Sequence, residues 1–145
     1  MPRTKLLALD TYQFSQTLPV RVTDLNRADH LSAYALVGML DEVYARFIVS
    51  LGLGESGLGA PNVGSINAEL QVNYQGEGKL HDELLIELGI RELGSKSFRV
   101  HYQVRCGERP IALAEVGVVC FDYLQKKATT LPDVFVKGVA GDCSD

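Results

Sequence analysis

A chain of 145 residues has room for one domain, and 46% hydrophobic with 22% charged residues is the composition of a folded globular protein. A net charge of -4 and the lack of a Lys/Arg run exclude a nucleic-acid-binding surface. Met1 to Asp10 do not resemble a signal peptide, and the longest apolar segment, Leu31 to Leu51, carries three charged residues, which excludes a membrane span. We therefore expect one cytoplasmic domain over residues 1–145, with a core of about 12–133 and a tail of 134–145 that contributes little to it.

An alternating pattern predicts the first strand. From Tyr12 to Val22 every second residue is apolar, except Gln16. This is the period of a strand that buries one face. Because Pro19 has no backbone N–H to donate, the strand is expected at a sheet edge or a bulge.

The next segment has a helical period. Apolar residues recur at spacings of three and four and share one face of a helix: Leu36, Leu40, Val43, Phe47 and Leu51. Asp29 is a candidate N-cap near the start, and Gly52 ends the helix. The pattern predicts one helix of about five turns whose wide apolar face must be covered.

Strand periodicity returns after a Gly-rich connection. It is found at 66–74, 84–90, 98–106 and 111–123. The last segment is apolar on both faces, as expected of a strand that is covered on both sides. These elements predict an α+β domain in which an antiparallel five-stranded sheet wraps around one long central helix.

A motif lies between the first strand and the helix. Val20-Arg21-Val22-Thr23-Asp24-Leu25-Asn26-Arg27-Ala28-Asp29-His30-Leu31 resembles the corresponding junction of 4-hydroxybenzoyl-CoA thioesterase-like proteins, in the hotdog-fold acyl-CoA thioesterase superfamily. There an Arg-aromatic stretch leads to an acidic residue, a catalytic Asp and, four residues later, a His. Arg21, Asp24 and His30 fit these places. The resemblance covers roughly residues 12 to 133, including Leu80 to Leu84, which is similar to the family's Gly-Asp before the third strand. It implies the hotdog fold.

Two residues depart from the family pattern. The family's catalytic Asp falls on Asn26, whose amide cannot be a general base or a carboxylate nucleophile near neutral pH. Asp29 stands where the family usually has Gly. The usual mechanism therefore cannot be transferred unchanged.

The resemblance implies hydrolysis of acyl-CoA or acyl-carrier-protein thioesters, with no cofactor beyond the coenzyme A of the substrate. This reaction needs donors for the oxyanion that develops on the carbonyl, and unpaired N–H groups at a helix start supply them. We expect the backbone of Leu31, Ser32 and Ala33 to bind the carbonyl.

Several side chains are candidates to act on the attacking water. His30 could polarise it, as could Asp24 if the strand continues far enough to put Asp24 and Asn26 on one side. Asn26 could orient the water or bond the carbonyl. Glu42 is a further candidate for contact with substrate, brought closer by a partner subunit because it lies about 18 Å beyond His30 at 1.5 Å per residue.

Each candidate also has a structural alternative. His30 could cap or pack the helix start, Asp24 could pair with Arg21 or Arg27, and Glu42 with Arg46 at i,i+4. No metal-ligand spacing is visible, so no metal is expected.

Two other functions stay open for the chain. One is a non-catalytic acyl-thioester binding protein, which Asn26 favours. The other is a hotdog dehydratase acting on hydroxyacyl thioesters, which would pair a His with an acid from the facing subunit. In every case the uncovered edges of a sheet around one helix favour a homodimer or homotetramer.

Overall fold

A computed structural model describes residues 3–54 and 57–143, with the backbone alone at 141–143. Its elements are, in chain order, β1 (Phe14–Pro19), α1 (Ala33–Ser50), β2 (Val63–Tyr74), β3 (Glu83–Arg91), β4 (Ser97–Cys106), β5 (Arg109–Asp122), β6 (Lys127–Ala128) and α2 (Asp133–Cys143). Neither helix in this part of the chain combines the length and the apolar content needed to cross a bilayer. The domain predicted over 1–145 includes residues 1–2, 55–56 and 144–145, which lie outside the described ranges.

The strands form one antiparallel sheet of order β1-β3-β4-β5-β2, with the short β6 paired to β5. This order and the single long helix confirm the predicted hotdog fold. Because β6 adds a two-residue pairing, the sheet has six strands where five were predicted. β1 is an edge strand that ends at Pro19, as expected of a residue that cannot donate to a ladder.

The core forms between one face of α1 and alternate residues of the sheet. The helix buries Leu36, Met39, Leu40, Val43 and Phe47. Opposite them lie buried residues of β3 and β4 at every second position, among them Leu84, Ile86, Leu88, Phe98, Val100, Tyr102 and Val104. β5 is buried at consecutive positions, as predicted for a strand that is covered on both sides. The predicted helical face and the predicted periods of β3 and β4 therefore meet in a single core.

The helix begins at a different residue from the one predicted. Ser32 is the N-cap, and its Oγ accepts the Ala35 N–H at 3.0 Å. Asp29 lies in a tight turn before it, with a φ of 61°. The Asp29 cap was wrong because the chain first makes this turn, and its left-handed backbone is one that glycine adopts without strain. The family that the junction resembles usually has Gly at this position, which agrees with the left-handed backbone of Asp29.

The C-terminal segment contributes to the core, contrary to the prediction for the tail 134–145. α2 buries Phe135 and Val139, which lie four residues apart and so share one helical face. The Phe135 ring lies 5.0 Å from the ring of Phe98 on β4, measured between centroids. Because this segment is rich in Gly and Asp, its short amphipathic helix was not predicted from the sequence.

We predict that Phe135→Ala lowers the free energy of unfolding by about 3–5 kcal/mol, because it removes a fully buried ring and leaves a cavity beside Phe98. Chemical denaturation measures this change. Lys137→Ala, at an exposed position of the same helix, is the control and should stay within about 0.5 kcal/mol of the wild type. Equal stability of the two variants would show that α2 does not stabilise the domain.

Candidate active site

The polar residues at the start of the junction tie it to α1. Val22–Asp24 form a single 3-10 turn, and Asp24 is 5% exposed. Its carboxylate accepts the Arg21 backbone N–H at 2.8 Å and the Arg21 Nε–H at 3.2 Å. This confirms the alternative that Asp24 pairs with Arg21. β1 ends at Pro19, so the condition under which Asp24 and Asn26 would lie on one side of the strand is not met.

Asn26 closes the tight turn that follows. Its Oδ1 accepts the N–H of Ala28 at 2.9 Å and that of His30 at 3.2 Å, while its own N–H donates to the His30 carbonyl at 2.8 Å. Because both neighbours of the oxygen are N–H donors, the orientation of the amide is fixed. The Asn26 side chain is exposed, and its Nδ2 amide donates to no acceptor among the described residues. Asn26 can therefore donate a hydrogen bond to a ligand but cannot take a proton from it.

His30 is half-buried and contacts the turn between β2 and β3. Its Nε2 lies 3.4 Å from Oε2 of Glu77, and its backbone forms a bridge with Lys79. Glu77 was not among the residues predicted from the sequence. No local signal marks it, because the contact joins two segments that are distant in the chain.

The first amides of the helix differ from the predicted set. Leu31 N–H donates to the Gly78 carbonyl at 2.7 Å and Ser32 N–H to the Asp24 carbonyl at 2.8 Å. These two amides are therefore engaged within the chain, and the prediction that they bind a carbonyl was wrong. The N–H groups of Ala33 and Tyr34, the first two of α1, have no acceptor among the described contacts. Of the predicted amides, Ala33 alone keeps a free donor.

A cavity of about 480 Å³ opens between β1 and α1. It is lined by Leu18, Pro19, Arg21, Asp24, Ala35, Gly38, Met39, Glu42 and Arg46. Glu42 Oε2 lies 2.7 Å from Arg46 Nε, which confirms the predicted i,i+4 pair. The structure brings Glu42 and Asp24 to this one cavity within a single chain. Asn26 and His30 are not among its lining residues, and His30 instead contacts Glu77.

One group of three possible metal ligands occurs in the described part of the chain: Glu92, His101 and Glu115. His101 on β4 and Glu115 on β5 pair across the sheet on the face opposite the residues that pack on α1, and Glu92 follows the end of β3. The Arg99 guanidinium hydrogen-bonds to Glu115 and to Glu69, and these carboxylates raise the pKa of Arg99. Arg99 therefore already gives Glu115 the positive partner that a bound metal cation would be. That the protein needs no metal stays a prediction.

Comparison with known proteins identifies the family and the fold. The sequence pattern of the thioesterase-like superfamily matches residues 20–139. A 1,4-dihydroxy-2-naphthoyl-CoA hydrolase from Synechococcus elongatus is 28% identical over 126 residues, which cover 84% of this chain and 90% of that protein.

Solved structures show the same fold at low identity. A 1,4-dihydroxy-2-naphthoyl-CoA thioesterase from Synechocystis superposes with a TM-score of 0.78 at 18% identity, over 88% of this chain and 95% of that one. A Staphylococcus aureus protein in complex with CoA superposes with a TM-score of 0.82 at 16% identity, over 95% and 87%. The sequence match includes the junction, α1 and all strands from β2 to β6, and the chain therefore belongs to the thioesterase-like superfamily.

Proposed function

We propose that this chain hydrolyses acyl-CoA thioesters at the junction between β1 and α1. The observation that carries the proposal is the pair of backbone donors at Ala33 and Tyr34, which have no acceptor among the described residues. Membership of the thioesterase-like superfamily supports the reaction class. The Synechococcus relative, a hydrolase of an aromatic acyl-CoA, supports an aromatic acyl group.

The helix start suits a thioester carbonyl. Two adjacent N–H groups and the positive end of the α1 dipole stabilise negative charge that develops on the carbonyl oxygen. The Nδ2 amide of Asn26 is a third available donor in the same junction. In this proposal Asn26 binds the carbonyl or the attacking water. The general base, a role that a carboxylate at this position could have, is another residue.

His30 is the proposed general base. Asn26 cannot accept a proton, and Asp24 is buried and bonded to Arg21. Because Nε2 of His30 faces Glu77, Nδ1 is left to take a proton from water. The water oxygen then bonds to the carbonyl carbon, and the carbonyl electron pair moves to its oxygen. When the tetrahedral intermediate collapses, the C–S bond breaks and the CoA thiolate takes the proton from the imidazolium, which yields a carboxylic acid and a thiol.

The surroundings support a CoA ester over other thioesters. Arg27 and Lys79 are exposed cations, one inside the Asn26 turn and the other paired with His30 through the backbone. They favour binding of the anionic CoA phosphates. Leu18, Pro19 and Met39 form an apolar part of the cavity that suits an acyl group, beside the charged lining residues Arg21, Asp24, Glu42 and Arg46. A carrier-protein substrate is distinguished by comparing the same acyl group on both carriers.

The second candidate function is a binding protein that holds acyl thioesters without hydrolysing them. Asn26 favours it, because the amide keeps the turn closed and still offers a donor but supplies no base. The two functions differ in one measurable property, the release of free thiol.

The first test is a panel of aliphatic and aromatic acyl-CoAs with a thiol reagent. We expect turnover by the wild type and a loss of about 100-fold or more in kcat for His30→Ala, because proton transfer by a positioned base contributes at least this factor. Asn26→Asp keeps an acceptor for both backbone N–H groups and should fold like the wild type. Turnover by Asn26→Asp alone, with an inactive wild type, would favour the binding protein, and hydration of an enoyl-CoA without thiol release would favour the dehydratase.

We also propose that the chain is a homodimer joined through β2. This strand lies at the sheet edge, and its apolar side chains at Leu70 and Tyr74 are 46% and 53% exposed on one face. The register shift between Asn67 and Glu69 places Ile66, which is 37% exposed, on the other face. The alternating residues of β2 that were predicted to be buried are therefore partly exposed in a single chain. A second copy, which carries the same apolar strand, can cover both the face and the unpaired edge.

The interface is tested with Leu70→Glu, which places a charge on the exposed face of β2. We expect light scattering to give a dimeric or tetrameric mass for the wild type and a smaller mass for the variant. Leu124→Glu is the matched control, because Leu124 is 75% exposed in the turn after β5 and lies off this face. A monomeric wild type, or equal masses for both variants, would contradict the proposed interface.

A further inference from the structure

We infer that Glu77, on the turn between β2 and β3, is a positioning residue that orients His30 for proton transfer. The inference rests on the proposed hydrolase function and adds to it a residue from a different part of the chain. Its starting point is the contact between Glu77 Oε2 and His30 Nε2, at 3.4 Å.

The turn that carries Glu77 is fixed from the side of the sheet. The Arg109 guanidinium donates to the Glu77 backbone carbonyl and, through Nη2, to Asp82 Oδ2 at 2.7 Å. The same Asp82 oxygen accepts the Lys79 N–H at 2.9 Å. The hydrogen bond from Arg109, followed by the one from Lys79, lowers the pKa of the Asp82 carboxyl, so this group stays ionised and keeps its hold on the turn.

The turn is also fixed from the side of the junction. The Gly78 carbonyl accepts the Leu31 N–H at 2.7 Å, and the backbones of His30 and Lys79 form a bridge. A Cβ on Gly78 would lie 2.8 Å from Cβ of Leu31, so the two segments approach as closely as they do because this residue is glycine. Contacts on both sides of residue 77 therefore fix its main chain at a position from which the carboxylate reaches the imidazole.

The chemistry of this contact suits a positioned base. A carboxylate beside Nε2 favours the tautomer that carries its proton on Nε2, which orients the ring and leaves Nδ1 without a proton. It also stabilises the positive charge that the ring acquires when it takes a proton. An exposed ion pair such as that of Glu77 and His30 adds little to the free energy of unfolding. We therefore expect its loss to lower kcat and not the stability of the domain.

Three other carboxylates around the site are bonded to arginines. Asp24 is bonded to Arg21, Glu42 to Arg46, and Asp82 to Arg109. Glu77 is the carboxylate recorded in contact with His30. The negative charge absent at Asn26 is thus supplied to the junction by the β2–β3 turn.

The test compares Glu77→Gln with Glu108→Gln, a control that also removes one exposed carboxylate, from the turn between β4 and β5. Both are assayed on the acyl-CoA that the wild type hydrolyses fastest. We expect kcat of Glu77→Gln to fall about tenfold or more, a part of what a base contributes. KM should not rise, because loss of a negative charge does not weaken binding of an anionic CoA ester.

A double-mutant cycle shows whether Glu77 acts through His30. In a His30→Ala background, Glu77→Gln should cause no further loss of kcat, whereas a structural role would lower kcat by the same factor in both backgrounds. The second result would overturn the inference, as would a wild-type kcat in Glu77→Gln. A wild type that hydrolyses no member of the panel would instead overturn the proposed function, and the role of Glu77 in it.

Discussion

Two backbone hydrogen bonds decide what the helix start can offer a ligand. Leu31 and Ser32 give their N–H groups to the carbonyls of Gly78 and Asp24, so the free amides of the junction are those that follow. The bond to Gly78 also brings the β2–β3 turn against the junction, and the bond to Asp24 holds the buried carboxylate of the 3-10 turn in place. These two hydrogen bonds therefore determine both which N–H groups stay free and which carboxylate lies beside the junction.

Features that repeat locally could be predicted from the sequence. α1 and the strands of the meander follow from spacings within single segments, because burial of one face imposes a period on consecutive residues. The junction residues Asp24, Asn26 and His30 were found through resemblance to a family. The engaged amides of Leu31 and Ser32 and the contact of Glu77 were missed, since their partners come from segments that no local period connects.

The proposed mechanism assigns folding and proton transfer in the junction to different residues. The Asn26 amide accepts the two hydrogen bonds that close the turn, so the local fold does not require a carboxylate there. Proton transfer does require a base, and in the proposal His30, with Glu77 beside it, is that base at the other end of the same turn. A single Asp at position 26 could combine the two functions that the proposal divides between Asn26 and His30.

Asp29 and His81 both have a positive φ, and they lie in the two segments that meet at the junction. A left-handed backbone costs a non-glycine residue on the order of 1 kcal/mol, which must be offset by the contacts between these segments. Regions of this kind separate locally at lower free energy than a packed core does. On gradual warming, these two segments would thus separate while the sheet is still intact, before global melting.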